Sequence, residues 1–99
     1  MFGLITKIRA TPGARDRLAA ILIKGSTSMP GCLSYVVAAD TVDPDALWIT
    51  EVWGSAALHE ASLKLPQVRE AMVSGRPLIA GFGERFQTAP LGGSGLAAG

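Results

Sequence analysis

Four short segments of the chain alternate apolar and polar residues with the two-residue repeat of a β-strand. These predicted strands run from Phe2 to Ala10, Cys32 to Ala39, Leu47 to Trp53 and Ile79 to Thr88. Both alternating sets of the third strand are largely apolar, which predicts burial on both of its faces. The fourth strand contains Gly81 and Gly83, and glycines inside a strand indicate a bulge or a close backbone approach.

Helical spacing replaces the alternation between these strands. Ala14, Leu18, Ile21 and Leu22 form an apolar stripe, which predicts an amphipathic helix from Ala14 to about Gly25. After the third strand, a serine suited to an N-cap and a proline suited to a first helical turn predict two further pieces. They run from Ala56 to Lys64 and from Pro66 to Gly75, as two short helices or one kinked helix.

The predicted order of elements is therefore βαββαβ, the ferredoxin-like arrangement of an α+β domain. We assign this domain to residues 1–88. Residues 89–99 contain four glycines and one proline without periodicity. Such a segment is expected to be a flexible tail or an arm that lies on a partner subunit.

The composition predicts a homodimer. Of the 99 residues, 48% are apolar and only 17% are charged, whereas an ordinary soluble domain has about 25% charged residues. A four-stranded sheet of this topology covers one face with its helices and leaves the other bare. Apolar residues on that bare face need a partner, most simply a second copy of the chain.

The distribution of charge and the length of the apolar runs argue against nucleic acids and membranes as partners. Nine basic and eight acidic residues are scattered along the chain, so no nucleic-acid partner is expected. The apolar runs are shorter than the roughly 20 residues that cross a bilayer, so no membrane partner is expected either. The chain shows no leader of signal-peptide type, and a cytoplasmic location is the expectation.

His59 is the only histidine and Cys32 the only cysteine. Conventional zinc, iron, haem and iron–sulfur sites need more such ligands than one subunit supplies, so we predict no metal and no cofactor. The imidazole changes charge closer to neutral pH than any other side chain does, which makes His59 the leading candidate for a proton acceptor. The alternative is an ordinary helix residue without a role in chemistry.

Aromatic side chains are the candidates to line a cavity. Trp48 and Trp53 are an odd number of residues apart in one strand, so they point to opposite faces of the sheet. Trp53 is expected to line a hydrophobic cavity together with Tyr35, Phe82 and Phe86, and plain core packing is the alternative.

Glu51 stands on an otherwise apolar face of the third strand. A buried carboxylate needs a cationic or hydrogen-bonding partner. Arg85, Lys7 and Arg9 on neighbouring strands are the candidates, and a structural ion pair is the expected role.

Several segments together resemble one family. Pro30-Gly31-Cys32-Leu33-Ser34-Tyr35 followed by Leu47-Trp48-Ile49-Thr50-Glu51-Val52-Trp53 is similar to the antibiotic biosynthesis monooxygenase (ABM) domain. The shared pattern is a glycine turn, a strand with a tyrosine and an apolar strand that ends Glu-x-Trp. The later runs from His59 to Leu63, from Arg76 to Phe82 and from Pro90 to Gly93 resemble a bacterial subgroup of quinol monooxygenases.

The resemblance implies a dimeric α+β barrel with a pocket between sheet and helices in each subunit. It also implies oxidation of a small quinol or polyphenol by O₂ without metal or flavin. Trp53 and His59 are then expected to be catalytic, and Tyr35, Phe82 and Arg85 to bind a hydrophobic aromatic substrate. The chain contains no asparagine, which haem-degrading relatives use, so haem degradation is not expected.

Two alternatives to a monooxygenase remain open. The first is a catalytically silent dimeric domain that binds a hydrophobic small molecule. The second is an isomerase or lyase on the same scaffold.

Overall fold

The structure is a computed structural model that describes residues 1–96. Its strands are β1 (Phe2–Ala10), β2 (Cys32–Ala39), β3 (Ala46–Trp53) and β4 (Ile79–Thr88). Its helices are α1 (Arg15–Gly25), α2 (Ala56–Ser62) and α3 (Pro66–Gly75), followed by a 3₁₀ turn over Arg76–Leu78. The strands form one antiparallel sheet in the order β2-β3-β1-β4. The βαββαβ order confirms the predicted ferredoxin-like fold.

Element boundaries differ from the prediction mainly at α2, which ends at Ser62 and not at Lys64. The next three amides, those of residues 63 to 65, donate to carbonyls only three residues back, so the chain tightens out of the α-helix. Leu65 is extended, as the residue before a proline must be. Pro66 then starts α3, so the connection holds two short helices.

The core lies between the helices and one face of the sheet. Leu18 of α1 is completely buried and packs on the middle of the sheet, in a cluster with Ile8, Ala10, Ala14, Leu47 and Ile49. Fully burying a side chain such as leucine contributes about 1.5 to 3 kcal/mol. This cluster therefore holds α1 against β1 and β3.

The fourth strand contains the predicted irregularity. The register between β1 and β4 shifts between Thr6 and Ile8. A Cβ atom at Gly83 would lie 3.1 Å from the Cβ atom of Lys7, so a larger residue would fit only if the Lys7 side chain shifted slightly. The glycine signal in β4 thus corresponds to a register shift beside Gly83 and to a close approach of the Lys7 side chain.

The second face of the sheet carries no helix. This open sheet face includes apolar side chains from all four strands, namely Ile5, Val36, Trp48, Val52 and Phe86. Val36 and Phe86 keep 52% and 51% of their surface exposed. The second face of β3 is therefore only half-buried within one chain. The dimer that would cover it stays a prediction.

Residues 89 to 96 form neither helix nor strand. The predicted flexibility of the tail stays a prediction, and its last three residues, 97–99, lie outside the described residues. Among residues 1–96, no helix has the length and apolar character needed to span a membrane.

Candidate functional site

A cavity of about 270 Å³ lies between the helix-covered face of the sheet and the three helices. Most of its wall is apolar, including Ile8, Leu22, Met29, Val68, Met72 and Ile79. Five polar side chains interrupt that wall: Ser26, Tyr35, Glu51, His59 and Ser62. A concave apolar space with a few convergent polar groups is the usual form of a small-molecule site.

The structure brings together four of the five predicted site residues. Trp53, Tyr35, His59 and Phe82 all line the cavity. Arg85 does not line it and is exposed on β4. Their roles in binding or chemistry stay predictions, because position alone does not assign them. The expectation that Phe86 lines the cavity is wrong, because its register with Ile5 puts it on the open sheet face.

Strand alternation and register place the first part of the site. Glu51 and Trp53 are two residues apart on β3 and therefore share the helix-covered face. Tyr35 of β2 pairs with Glu51, which puts the phenol beside the carboxylate. Trp53 is 1% exposed, and its indole N–H donates to Glu51 Oε1 at 3.1 Å.

Helix α2 places His59. The Ser55 side chain accepts a hydrogen bond from the Leu58 amide and so caps the helix as predicted. The imidazole lies between Phe2 and Trp53, with ring centroids 5.5 Å and 5.4 Å away. Its side chain is 18% exposed, and its Nε2 lies 3.9 Å from Glu51 Oε1. The histidine is thus a largely buried member of the cavity wall.

Neither Ser55 nor Ser62 forms a hydrogen bond with the imidazole ring of His59. Ser55 is engaged in the helix cap, and the Ser62 hydroxyl donates to the carbonyl oxygen of His59. A serine nucleophile activated by His59 is therefore not formed.

Burial controls the acidities in the cavity. It raises the pKa of the Glu51 carboxyl, while the Trp53 hydrogen bond and the charges of His59 and Arg85 oppose that rise. Burial also raises the pKa of the Tyr35 phenol, and the Glu51 charge adds to the effect. Tyr35 consequently stays protonated at neutral pH.

Two of the cations expected near Glu51 pair elsewhere. Lys7 lies 3.9 Å from Asp40, and Arg9 lies 4.0 Å from Asp43. Lys7 also lies over the ring of Trp48, 5.7 Å from its centroid. Glu51 instead meets His59 and Trp53, a pairing that the sequence analysis missed. The signal was present, since Glu51 and Trp53 share a strand face.

Residues 1–96 contain no group of three or more histidine, cysteine, aspartate or glutamate side chains arranged to hold a metal ion. The polar groups of the cavity are instead suited to hydrogen bonding and to proton transfer.

Comparison with known proteins agrees with the fold. The family model described as antibiotic biosynthesis monooxygenase, ABM, matches residues 1–73. A crystal structure from Chloroflexus aurantiacus J-10-fl, of a protein named for the same family, is 61% identical with a TM-score of 0.94. The alignment covers 97% of this chain and 98% of that one. The chain therefore belongs to the antibiotic biosynthesis monooxygenase family.

More distant structures share the fold alone. A protein from Deinococcus radiodurans is 22% identical with a TM-score of 0.76, over 94% of this chain and 95% of its own. One from Nitrosomonas europaea is 12% identical with a TM-score of 0.81, over 92% and 99%. Both carry the same family name. No curated protein matches the chain.

Proposed function

We propose that the protein is a cofactor-independent monooxygenase that oxidises a small quinol or polyphenol with O₂. The observation that carries this proposal is the Glu51–Trp53–His59 cluster inside an otherwise apolar cavity. A dry cavity with a proton acceptor can ionise a phenolic substrate. An ionised quinol is electron-rich enough to react with O₂ directly.

The size of the cavity favours a small substrate. A cavity of about 150 Å³ holds one benzene ring in another protein. The cavity of about 270 Å³ therefore suits a compound of one or two rings. Its apolar walls match the faces of such rings.

The proposed reaction balances without any further reductant. A quinol and one O₂ give a hydroxyquinone and one water. One oxygen atom enters the ring, the other leaves as water, and the substrate supplies all four electrons. The protein has to take up the hydroxyl proton, exclude water and hold the anion.

The proposed roles keep the residues of the sequence-based assignment. Trp53 and His59 flank the reacting group, Trp53 through the carboxylate that its N–H holds, and Tyr35 and Phe82 contact the ring of the substrate. Arg85, expected to bind the substrate, acts from outside the cavity through its charge. The positions of the first four in the cavity wall support these roles. The charge of Arg85 reaches the site through its effect on the Glu51 carboxyl.

Oxygen consumption with a panel of hydroquinones tests the proposal. We expect uptake of one O₂ per quinol, unaffected by a chelator, and a hydroxyquinone as product. An enzyme-independent rate for every member of the panel would overturn it.

A second candidate is a non-catalytic dimeric domain that binds the same class of aromatic molecule. The observation that favours it is that the Trp53 N–H already has a protein acceptor. That indole donor is therefore not free for a substrate oxyanion. Binding of hydroquinones without O₂ uptake would support this candidate.

A further inference from the structure

The two carboxylate oxygens of Glu51 have different surroundings. Register pairs this residue with Leu4 on β1 and with Tyr35 on β2. The side chain is 13% exposed and lines the cavity. A largely buried carboxylate needs hydrogen-bonding or cationic partners, either from the protein or from a ligand.

One oxygen is already engaged. Oε1 accepts the Trp53 hydrogen bond at 3.1 Å, and the His59 Nε2 atom lies 3.9 Å from that same oxygen. Both neighbours therefore flank Oε1 and leave the other oxygen to a different partner.

The other oxygen, Oε2, has no hydrogen-bond donor among residues 1–96. In that part of the chain, every fully buried side-chain nitrogen or oxygen has a partner. Oε2 must therefore retain accessible surface. The Glu51 side chain lies on the helix-covered face of the sheet and lines the cavity, so a ligand bound there is the nearest candidate donor for Oε2.

The surroundings tune this acceptor. Two charged groups act on it electrostatically, His59 from α2 and Arg85 from β4, and both lower its pKa. The Glu51 charge in turn raises the pKa of Tyr35 and of Cys32 on β2. Burial has the largest effect and raises the pKa of Glu51. A carboxylate with a raised pKa is a stronger base than an ordinary one.

We propose that Glu51 is the group that takes the hydroxyl proton of an aromatic substrate, and that Trp53 is a positioning residue that fixes the carboxylate. The substrate O–H bond breaks, its electron pair stays on oxygen to give the phenolate, and an O–H bond forms at Glu51 Oε2. The inference rests on the proposed function for its substrate class. It transfers the role expected of His59 to the neighbouring carboxylate.

Binding under argon tests the inference without any oxidation. The probe is 4-nitrophenol, titrated by calorimetry on either side of its own pKa. Wild type should prefer the neutral phenol over the phenolate, because the carboxylate accepts the hydroxyl and repels the anion. In Glu51→Gln, this preference should shrink by about tenfold or more, the usual weight of a hydrogen bond to a charged group.

Glu60→Gln is the matched control, since Glu60 is exposed on α2 next to His59. It makes the same change of charge and should keep the wild-type preference. An equal preference in wild type and Glu51→Gln, or no binding of the probe to wild type, would overturn the inference.

Turnover provides the second test. Glu51→Gln should lower kcat by about 10² to 10⁴ with little change in KM, as expected for loss of a general base. Formate added to Glu51→Ala should restore part of the rate in proportion to its concentration. A merely structural glutamate would not respond in this way.

The two proposals fail in different ways. Wild type that selects the neutral phenol but consumes no O₂ refutes the monooxygenase and leaves the assignment of Glu51 standing. Wild type that oxidises quinols as fast as Glu51→Gln refutes the assignment alone. Circular dichroism of Glu51→Gln and Glu51→Asp shows whether each variant is folded. Since Glu51→Asp retains an ionisable group, it shows whether a loss of activity comes from the loss of the base.

Discussion

At the scale of single residues, the two tryptophans form a natural pair for comparison. Each indole N–H donates to a carboxylate, Trp53 to Glu51 at 3.1 Å and Trp48 to Asp40 at 2.8 Å. The two side chains lie on opposite faces of β3, and only Trp53 lines the cavity. Substituting either one removes the same kind of hydrogen bond in a different place.

We predict that Trp53→Phe lowers quinol oxidation by about 10-fold to 10²-fold, the weight of one hydrogen bond to a charged group. The Trp53 hydrogen bond lowers the pKa of Glu51, so its loss should raise that pKa further. Because a base works in its ionised form, the acid limb of the pH–rate profile should move to higher pH. Trp48→Phe should leave both rate and profile unchanged. A profile that stays in place in Trp53→Phe would contradict the prediction.

The residue scale also shows what the sequence could reveal about the site. Strand alternation suffices to put Trp53 on the face opposite Trp48. It does not determine which cation pairs with which carboxylate, because that depends on distances across strands and turns. Lys7 pairs with Trp48 of β3 and therefore lies on the sheet face opposite Glu51. On that face it meets Asp40.

At the scale of elements, the turn before β2 depends on Gly31. Its φ is +80°, and a Cβ atom there would lie 2.6 Å from a side-chain atom of Leu58. Gly13 has a similar φ of +78°, with nothing within 4 Å of the Cβ position. Substitution of Gly13 therefore tests only the left-handed backbone conformation, whereas substitution of Gly31 also tests the steric contact with Leu58.

We predict that Gly13→Ala costs about 1 to 3 kcal/mol of unfolding free energy, the cost of a left-handed conformation without glycine. Gly31→Ala should cost more, since Leu58 must also move. Urea denaturation of the two variants measures the difference. Equal losses of unfolding free energy in the two variants would show that Leu58 on α2 moves aside at no cost.

The β2–β3 turn is organised around Asp40. Its carboxylate accepts hydrogen bonds from the amides of Val42 and Asp43 at 2.8 Å each and from the Trp48 indole. The Asp43 amide, the indole and the Val42 amide, with a smaller contribution from Lys7, lower the pKa of Asp40 to about 2. A carboxyl with a lowered pKa in the folded state stabilises the fold above its ordinary pKa. That stability is lost as the pH falls towards about 2.

We predict that Asp40→Asn lowers the melting temperature at neutral pH, and that the difference from wild type shrinks in acid. Asp16→Asn, at an exposed position on α1, should have little effect at either pH. Thermal unfolding across the acidic range measures both. A difference between Asp40→Asn and wild type that does not depend on pH would show that the charge is unimportant.

Element order was predictable because period-two and helical patterns alternate clearly along the chain, and β1, β2 and β4 cover the predicted residues. The end of α2 was not predictable from periodicity, because residues 63 and 64 still fit a helix. Their 3₁₀-type hydrogen bonds and the requirements of Pro66 end it earlier. Local hydrogen-bond competition decides such boundaries, and the apolar pattern does not record it.

At the scale of the whole molecule, the open sheet face is the feature without a partner inside one chain. It joins Ile5 and Val52 at its centre to Val36 and Phe86 on the two edge strands. The side chains of the two edge strands are half-exposed and those at the centre are partly exposed. Apolar patches of this kind mark interaction sites. A second copy offers the same patch, so a two-fold axis would pair the two faces.

We predict a homodimer through this face that buries about 2,000 Å² or more in total, the range of obligate interfaces. Val36→Asp should weaken the dimer by about 10²-fold or more, because each copy would bury an uncompensated charge. Val42→Asp is the control: Val42 is 89% exposed in the β2–β3 turn, and the variant should stay dimeric. Both valines are exposed in the single chain, so neither change should unfold it, and sedimentation equilibrium at micromolar concentration distinguishes the outcomes. A folded wild-type monomer under these conditions, or equal association of the two variants, would show that the face is covered in another way.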